Sequence, residues 1–106
     1  MTGGEAVVET LIANDVEVVT GLIGSSTLEI LDGLYNNADK VRYIGCRHES
    51  NGMIMMDAYA RYTGKNGVFL SGQAGPGVSN TVTAMAQAKA AFSPVVNLAG
   101  AIASDH

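Results

Sequence analysis

Four short runs rich in β-branched and apolar residues, Val16 to Thr20, Val41 to Gly45, Val68 to Ser71 and Val95 to Leu98, alternate with longer stretches whose apolar residues recur at helical spacing. A helix comes first and the order then reads β-α-β-α-β-α-β. Strands joined through helices cannot pair as tight hairpins, so the pattern predicts an α/β fold: a mostly parallel sheet with right-handed crossovers and helices on both faces. In such sheets ligands bind beyond the carboxyl ends of the strands. The loops expected there are residues 21–26, 46–49, 72–80 and the segment after Leu98.

Local signals set the expected boundaries. Thr2-Gly3-Gly4-Glu5 has the form of a capping box, and Val7, Val8, Leu11 and Ile12 then make an apolar stripe, with Asn14 expected as the left-handed residue that closes the helix. Ser26-Thr27-Leu28-Glu29 repeats the box, and Leu28, Leu31, Leu34 and Tyr35 follow it up to Asn36-Asn37. His48 to Tyr62 contains no proline, carries Met53, Met56 and Ala60 on one stripe and stops at Gly64, which predicts a third helix. The Ala-rich stretch Ser79 to Ala91 predicts a fourth, packed closely enough to need small residues.

Composition narrows the function classes. With 106 residues, 47% hydrophobic, 15% charged and a net charge of -4, the chain reads as one compact globular domain without disorder. The 6 Lys and Arg are scattered among 10 Asp and Glu, which leaves no basic face for a nucleic acid partner. No apolar run approaches the roughly 20 residues that cross a bilayer, and no basic-then-apolar leader precedes the first helix pattern. Together with the single Cys46, which cannot form an internal disulfide, this favours a cytoplasmic setting without membrane association. A sheet of this size is marginal alone and is expected to seek a partner. The 13 glycines suggest tight turns, or backbone lying close to a ligand.

Gly75-Pro76-Gly77-Val78-Ser79-Asn80 follows a strand and opens a helix, as a dinucleotide fingerprint does. Asn80 stands where the third glycine belongs, however, Pro76 removes a donor, and no acidic residue lies about 20 positions onward to take a ribose hydroxyl. NAD binding is therefore a poor fit. A tight strand-to-helix turn accounts for the glycines, but not for the polar Gln73 and Asn80. No phosphate-binding P-loop is present, and His48-Glu49 lacks a second histidine one turn later, so metal binding by this chain is not expected. His106 is expected to be solvated.

Glu49 opens a helix at the carboxyl end of a strand and is followed by Gly52, Met53, Met55 and Met56 rather than by charges. Two readings fit it. One is a solvated carboxylate favoured by the helix dipole, worth less than about 1 kcal/mol. The other is a carboxyl in an apolar cleft, where desolvation favours the protonated form so that it can share a proton with a ligand nitrogen. The pattern alone does not choose between them.

Four segments taken together resemble the N-terminal pyrimidine-binding domain of thiamine diphosphate enzymes of the acetolactate synthase type. They are Thr2-Gly3-Gly4-Glu5-Ala6; Gly21-Leu22-Ile23-Gly24-Ser25; Arg47-His48-Glu49 with Asp57-Ala58-Tyr59-Ala60-Arg61-Tyr62-Thr63-Gly64-Lys65; and Gly75-Pro76-Gly77-Val78-Ser79-Asn80. Each is weak alone, whereas their joint order is specific. The resemblance implies a three-layer thiamine diphosphate-binding fold, with residues 1–106 as the N-terminal portion of the domain: a fragment, a split subunit or a minimal version. It also implies a 2-oxo acid decarboxylase or carboligase in which Glu49 hydrogen-bonds the N1' nitrogen of the cofactor's aminopyrimidine and promotes its imino tautomer.

By the same resemblance Gly75, Pro76 and Asn80 lie on the cofactor side and the subunit interface, while Gly24, Ser25 and Gln73 face the substrate, a small 2-oxo acid or aldehyde. Ile23 departs from the proline common at its position. The segments Gly21 to Ser25 and Gln73 to Val78 are similar to sulfoacetaldehyde acetyltransferase, and Ser25 could hydrogen-bond a carboxylate or sulfonate. The family holds its diphosphate through Mg2+ in a second domain, on a G-D-G motif followed by asparagine. Leu31-Asp32-Gly33 does not match that motif, so a pyrophosphate-binding domain or subunit is the implied partner and the chain alone is expected to be inactive. Homo-oligomer formation is expected; FAD is compatible with the resemblance, but no residue calls for it. A catalytically silent assembly or dimerisation module is the competing reading.

Overall fold

The computed structural model describes residues 1–72 and 74–102. Helix α1 (Gly3–Ala13) begins as its sequence predicts, with a reciprocal capping box: the Thr2 hydroxyl accepts from the Glu5 amide at 3.1 Å and the Glu5 carboxylate accepts from the Thr2 amide at 3.2 Å. Its end differs from expectation. Asn14 keeps φ at -101° because its carboxamide donates to the Thr10 carbonyl, and the left-handed residue is Asp15, with φ of 61°.

Strands β1 (Val18–Gly21), β2 (Arg42–Gly45), β3 (Gly67–Ser71) and β4 (Val95–Ala99) form one sheet in the order β2-β1-β3-β4, and every neighbouring pair is parallel. The predicted first strand began at Val16; that residue is buried but lies before the ladder. A single 3-10 turn (Ser25–Thr27) leads into α2 (Leu28–Asn36). The second predicted capping box is absent here. The Thr27 hydroxyl turns back to the Gly24 carbonyl at 3.3 Å instead of capping the helix that follows.

Helix α3 (Glu49–Thr63) runs from a His48 cap to Gly64, which takes φ of 74° at the C-terminus. The helix predicted over Ser79 to Ala91 is found as α5 (Val82–Ala90); a short helix, α4 (Pro76–Ser79), precedes it within the expected loop, with Asn80 and Thr81 at the junction.

Strand β3 is buried along its whole length, and its alternating side chains supply both layers of core. Val68 and Leu70 join Val8, Leu11, Val19, Leu34 and Val41 under α1 and α2. Phe69 points the other way, into Met53, Met56 and Ala84 of α3 and α5. Helices therefore cover both faces, as the alternation predicts. Gly52 is what allows α3 to sit so low, since a Cβ there would overlap the Phe69 ring.

The helix layer on the Phe69 side contains a buried charge. Asp57 is 1% exposed, and its Oδ2 pairs with Arg61 and accepts from Gln87 of α5. The nearby Ser93 hydroxyl, and then Arg61, hold the Asp57 carboxyl below its ordinary value of 3.8 against the opposing effect of burial. A carboxyl lowered in this way adds stability that is complete above the ordinary value and is lost as pH falls through the depressed one. Asp57→Asn should therefore lower the stability of the intact protein by about 1–3 kcal/mol near neutral pH. Thermal midpoints of the two forms should converge as the pH drops below 3.8.

Candidate functional site

In a parallel sheet every strand ends at the same edge. That edge carries Gly21, Gly45, Ser71 and Ala99, followed by the loops 22–24 and 46–48, by Gly72 with residues 74–75, and by residues 100–102. The crevice between β1 and β3 is the point where the connections diverge, with α2 leaving toward one face and α4 and α5 toward the other. The two loops touch there. A Cβ on Gly72 would overlap the Leu22 carbonyl oxygen, so only glycine lets β3 turn away beneath the 22–23 backbone.

Glu49 occupies the first position of α3, where the helix dipole favours a carboxylate. It is half-buried. The methionines after it do not enclose it: Met53 and Met56 turn into the core and Met55 is exposed. Its orientation comes instead from Asn80, whose carboxamide Nδ2 donates to Glu49 Oε1 at 3.1 Å. Among the described residues Oε2 has no hydrogen-bond partner. Ser50 makes the return contact, its hydroxyl donating to the Asn80 carbonyl at 3.2 Å.

Two further contacts tie down the first turn of α3, and a third joins the strand ends beside it. His48 caps it, with Nδ1 accepting from the Ser50 amide at 3.1 Å, which puts the proton of the neutral ring on Nε2. The buried Thr20 hydroxyl of β1 donates to the Gly52 carbonyl at 3.0 Å. The Cys46 thiol donates to the Gly21 carbonyl at 3.2 Å. Burial, aided by the Glu49 charge, pushes that thiol up from its ordinary value, so Cys46 acts as a protonated bridge between strand ends rather than as a nucleophile.

The structure joins two of the residues singled out in the sequence, Glu49 and Asn80, and sets Gly75 and Pro76 in the same turn. Gly75 has φ of 81° and its carbonyl accepts from the Val78 and Ser79 amides, while the Asn80 amide reaches the Pro76 carbonyl at 3.0 Å. Gly24 is extended and half-buried, and Ser25 is exposed in the 3-10 turn. Among the described residues no hydrogen bond connects either of them to Glu49. Gln73 and His106 lie outside the described residues. His48 belongs to the Arg47-His48-Glu49 segment, whereas Ser50 carries no motif signal beyond its place at a helix start; the contacts of both follow from the cap geometry.

An apolar cleft of about 490 Å³ between α1, β3 and β4, lined by Val7, Leu11, Val68, Val96 and Leu98 among others, lies on the opposite face from α3 and contains no titratable side chain. Among the described residues no group of three or more His, Cys, Asp or Glu could hold a metal ion, and no helix is long and apolar enough to cross a membrane.

The whole chain, residues 1–106, matches the family described as thiamine pyrophosphate enzyme, N-terminal TPP binding domain. It belongs to that family. The chain is 45% identical to sulfoacetaldehyde acetyltransferase of Alcaligenes xylosoxydans xylosoxydans over 91% of its own length and 15% of the relative's. It is 40% identical to the catabolic acetolactate synthase of Raoultella terrigena over 94% of its length and 17% of the relative's. It is 42% identical to 2-hydroxyacyl-CoA lyase 2 of Xenopus laevis over 95% and 15% respectively. The chain thus spans less than a fifth of the length of these relatives.

Gly72→Ala should destabilise the intact protein by about 1–3 kcal/mol, because the obstacle to a Cβ is backbone and cannot rotate aside. Denaturant unfolding should show a lower midpoint at an unchanged slope.

Proposed function

We propose that this chain is the pyrimidine-binding part of a thiamine diphosphate-dependent 2-oxo acid decarboxylase or carboligase of the acetolactate synthase type, with Glu49 as the carboxylate that engages the cofactor. One observation carries the reading. Asn80 holds Glu49 Oε1 at 3.1 Å at the ligand edge of the sheet, and among the described residues Oε2 has no hydrogen-bond partner. A solvated dipole cap has no need of such a clamp. A carboxyl that must meet one ring nitrogen does, since proton sharing depends on hydrogen-bond reach and direction.

The residues present fit half of the cofactor. Glu49 would hold the aminopyrimidine nitrogen, with Asn80 keeping the carboxyl in register and the Gly75-Pro76 turn lying beside the ring. When bound, the cofactor's thiazolium serves as the electron sink for decarboxylation and carbon-carbon bond formation. The diphosphate and its Mg2+ are assigned to a pyrophosphate-binding domain or partner subunit, for the acidic ligands they need are not clustered among the described residues. The isolated chain would then be inactive and would work as part of a larger, oligomeric cytoplasmic enzyme.

The substrate is a small 2-oxo acid or aldehyde. Within that class, a sulfoacetaldehyde acetyltransferase-like activity is the second reading, favoured by the 45% identity to an enzyme of that name and by the exposed Ser25 hydroxyl, which could donate to a sulfonate. Turnover assays of the intact enzyme with pyruvate alone and with sulfoacetaldehyde separate the two.

In the intact enzyme Glu49→Gln should slow hydrogen-deuterium exchange at C2 of bound thiamine diphosphate by about 10²- to 10⁴-fold, the usual contribution of a positioned acid-base group. The exchange can be followed by NMR without substrate. An unchanged rate would remove Glu49 from the chemistry and favour the silent assembly module.

A further inference from the structure

Asn97 stands in the last strand, between Val96 and Leu98, where the apolar run gives no local reason for a carboxamide. Its side chain lies on the α5 side of the sheet, in register with Phe69. It completes a chain of hydrogen bonds. The buried Ser71 hydroxyl donates to Asn97 Oδ1 at 2.7 Å; Asn97 Nδ2 donates to Thr81 Oγ1 at 3.0 Å; and the Thr81 hydroxyl, 1% exposed, donates to the Val78 carbonyl at 2.6 Å. The direction is fixed. Because the Thr81 proton is committed to Val78, its oxygen must accept, and only the amide nitrogen of Asn97 can serve it.

This chain ends beside the site. Thr81 follows Asn80, and the Val78 carbonyl, accepting from both the Thr81 amide and its hydroxyl, closes α4 where an Ala-rich helix would otherwise run on. The resulting break places Asn80 with its carboxamide toward Glu49 and its carbonyl toward Ser50. We infer that Asn97, with Ser71 and Thr81, is a positioning residue: it anchors the α4–α5 break to the ends of β3 and β4 and through Asn80 sets the direction of the Glu49 carboxyl. The inference rests on the reading of Glu49 as the cofactor's partner, but its structural half can be tested without the cofactor.

The test uses the intact protein in two states. Without cofactor, hydrogen exchange of the amides at 78–81 should accelerate about fivefold or more in Thr81→Val and in Asn97→Leu, the effect expected for one hydrogen bond of ordinary strength. Exchange in β1 and β3 should not change, and Thr81→Ser, which keeps the hydroxyl, should restore the parent rate. With saturating thiamine diphosphate and Mg2+, C2 exchange per bound cofactor should fall in Thr81→Val and recover in Thr81→Ser. Unaltered exchange at 78–81 in the folded variants would overturn the anchor. Accelerated exchange at 78–81 with a normal C2 rate, in an enzyme that Glu49→Gln does slow, would overturn the positioning role and leave only a structural one. A silent Glu49→Gln would instead count against the proposed function, while the exchange at 78–81 would still decide the anchor. If Asn97→Leu fails to fold, the nearly isosteric Thr81→Val decides alone.

Discussion

The parallel sheet is the constraint on which everything else depends. Because all four strands run the same way, their carboxyl ends meet at one edge, and loops far apart in sequence become neighbours there. Strand β3 pays the structural cost: buried on both faces, it must be apolar at Val68, Phe69 and Leu70. It then releases the chain through Gly72 into a passage that admits no side chain. Glu49 and Asn80 arrive at the edge from different crossovers and meet because α3 is seated against β1 and β3 by Thr20, Gly52 and Phe69.

Much of this architecture is legible in the sequence. The alternation of strand and helix patterns gives the layers and the parallel pairing, and Thr2 with Glu5 gives the first helix start to the residue. What misleads is competition among polar side chains. Ser26 and Glu29 have capping-box spacing, but Thr27 finds the Gly24 carbonyl first and the chain takes a 3-10 turn. Asn14 looks like a left-handed terminator, yet its bond to Thr10 keeps it right-handed and passes the task to Asp15.

The candidate site divides along the same line. Glu49 and the Gly75-Pro76-Gly77 turn are visible as local patterns, whereas the expected apolar surroundings of Glu49 are not found, since helical spacing sends Met53 and Met56 to the core. The helix break at residues 80 and 81 is invisible to any window along the chain. Thr81, at that break, is bonded by Asn97, 16 residues away, and an Ala-rich segment gives no warning of the contact. The available signal was a polar residue inside a strand run, which demands a partner once buried.

The two polar systems of the α3 and α5 layer also differ in kind. Asp57 and Arg61 form a charged pair whose contribution falls with pH. The network that bonds Glu49 through Asn80 and continues among Ser50, Thr81, Asn97 and Ser71 consists of hydroxyls and amides, none of which gains or loses a proton in the physiological range. Neutral donors can hold a carboxylate without adding a fixed cation beside it. A lysine or arginine in place of Asn80 would bind Glu49 more strongly, but would favour its charged form and so oppose proton sharing with a ligand nitrogen. For the role proposed for Glu49, a clamp built from a carboxamide would give direction without a cation's pull on the carboxylate.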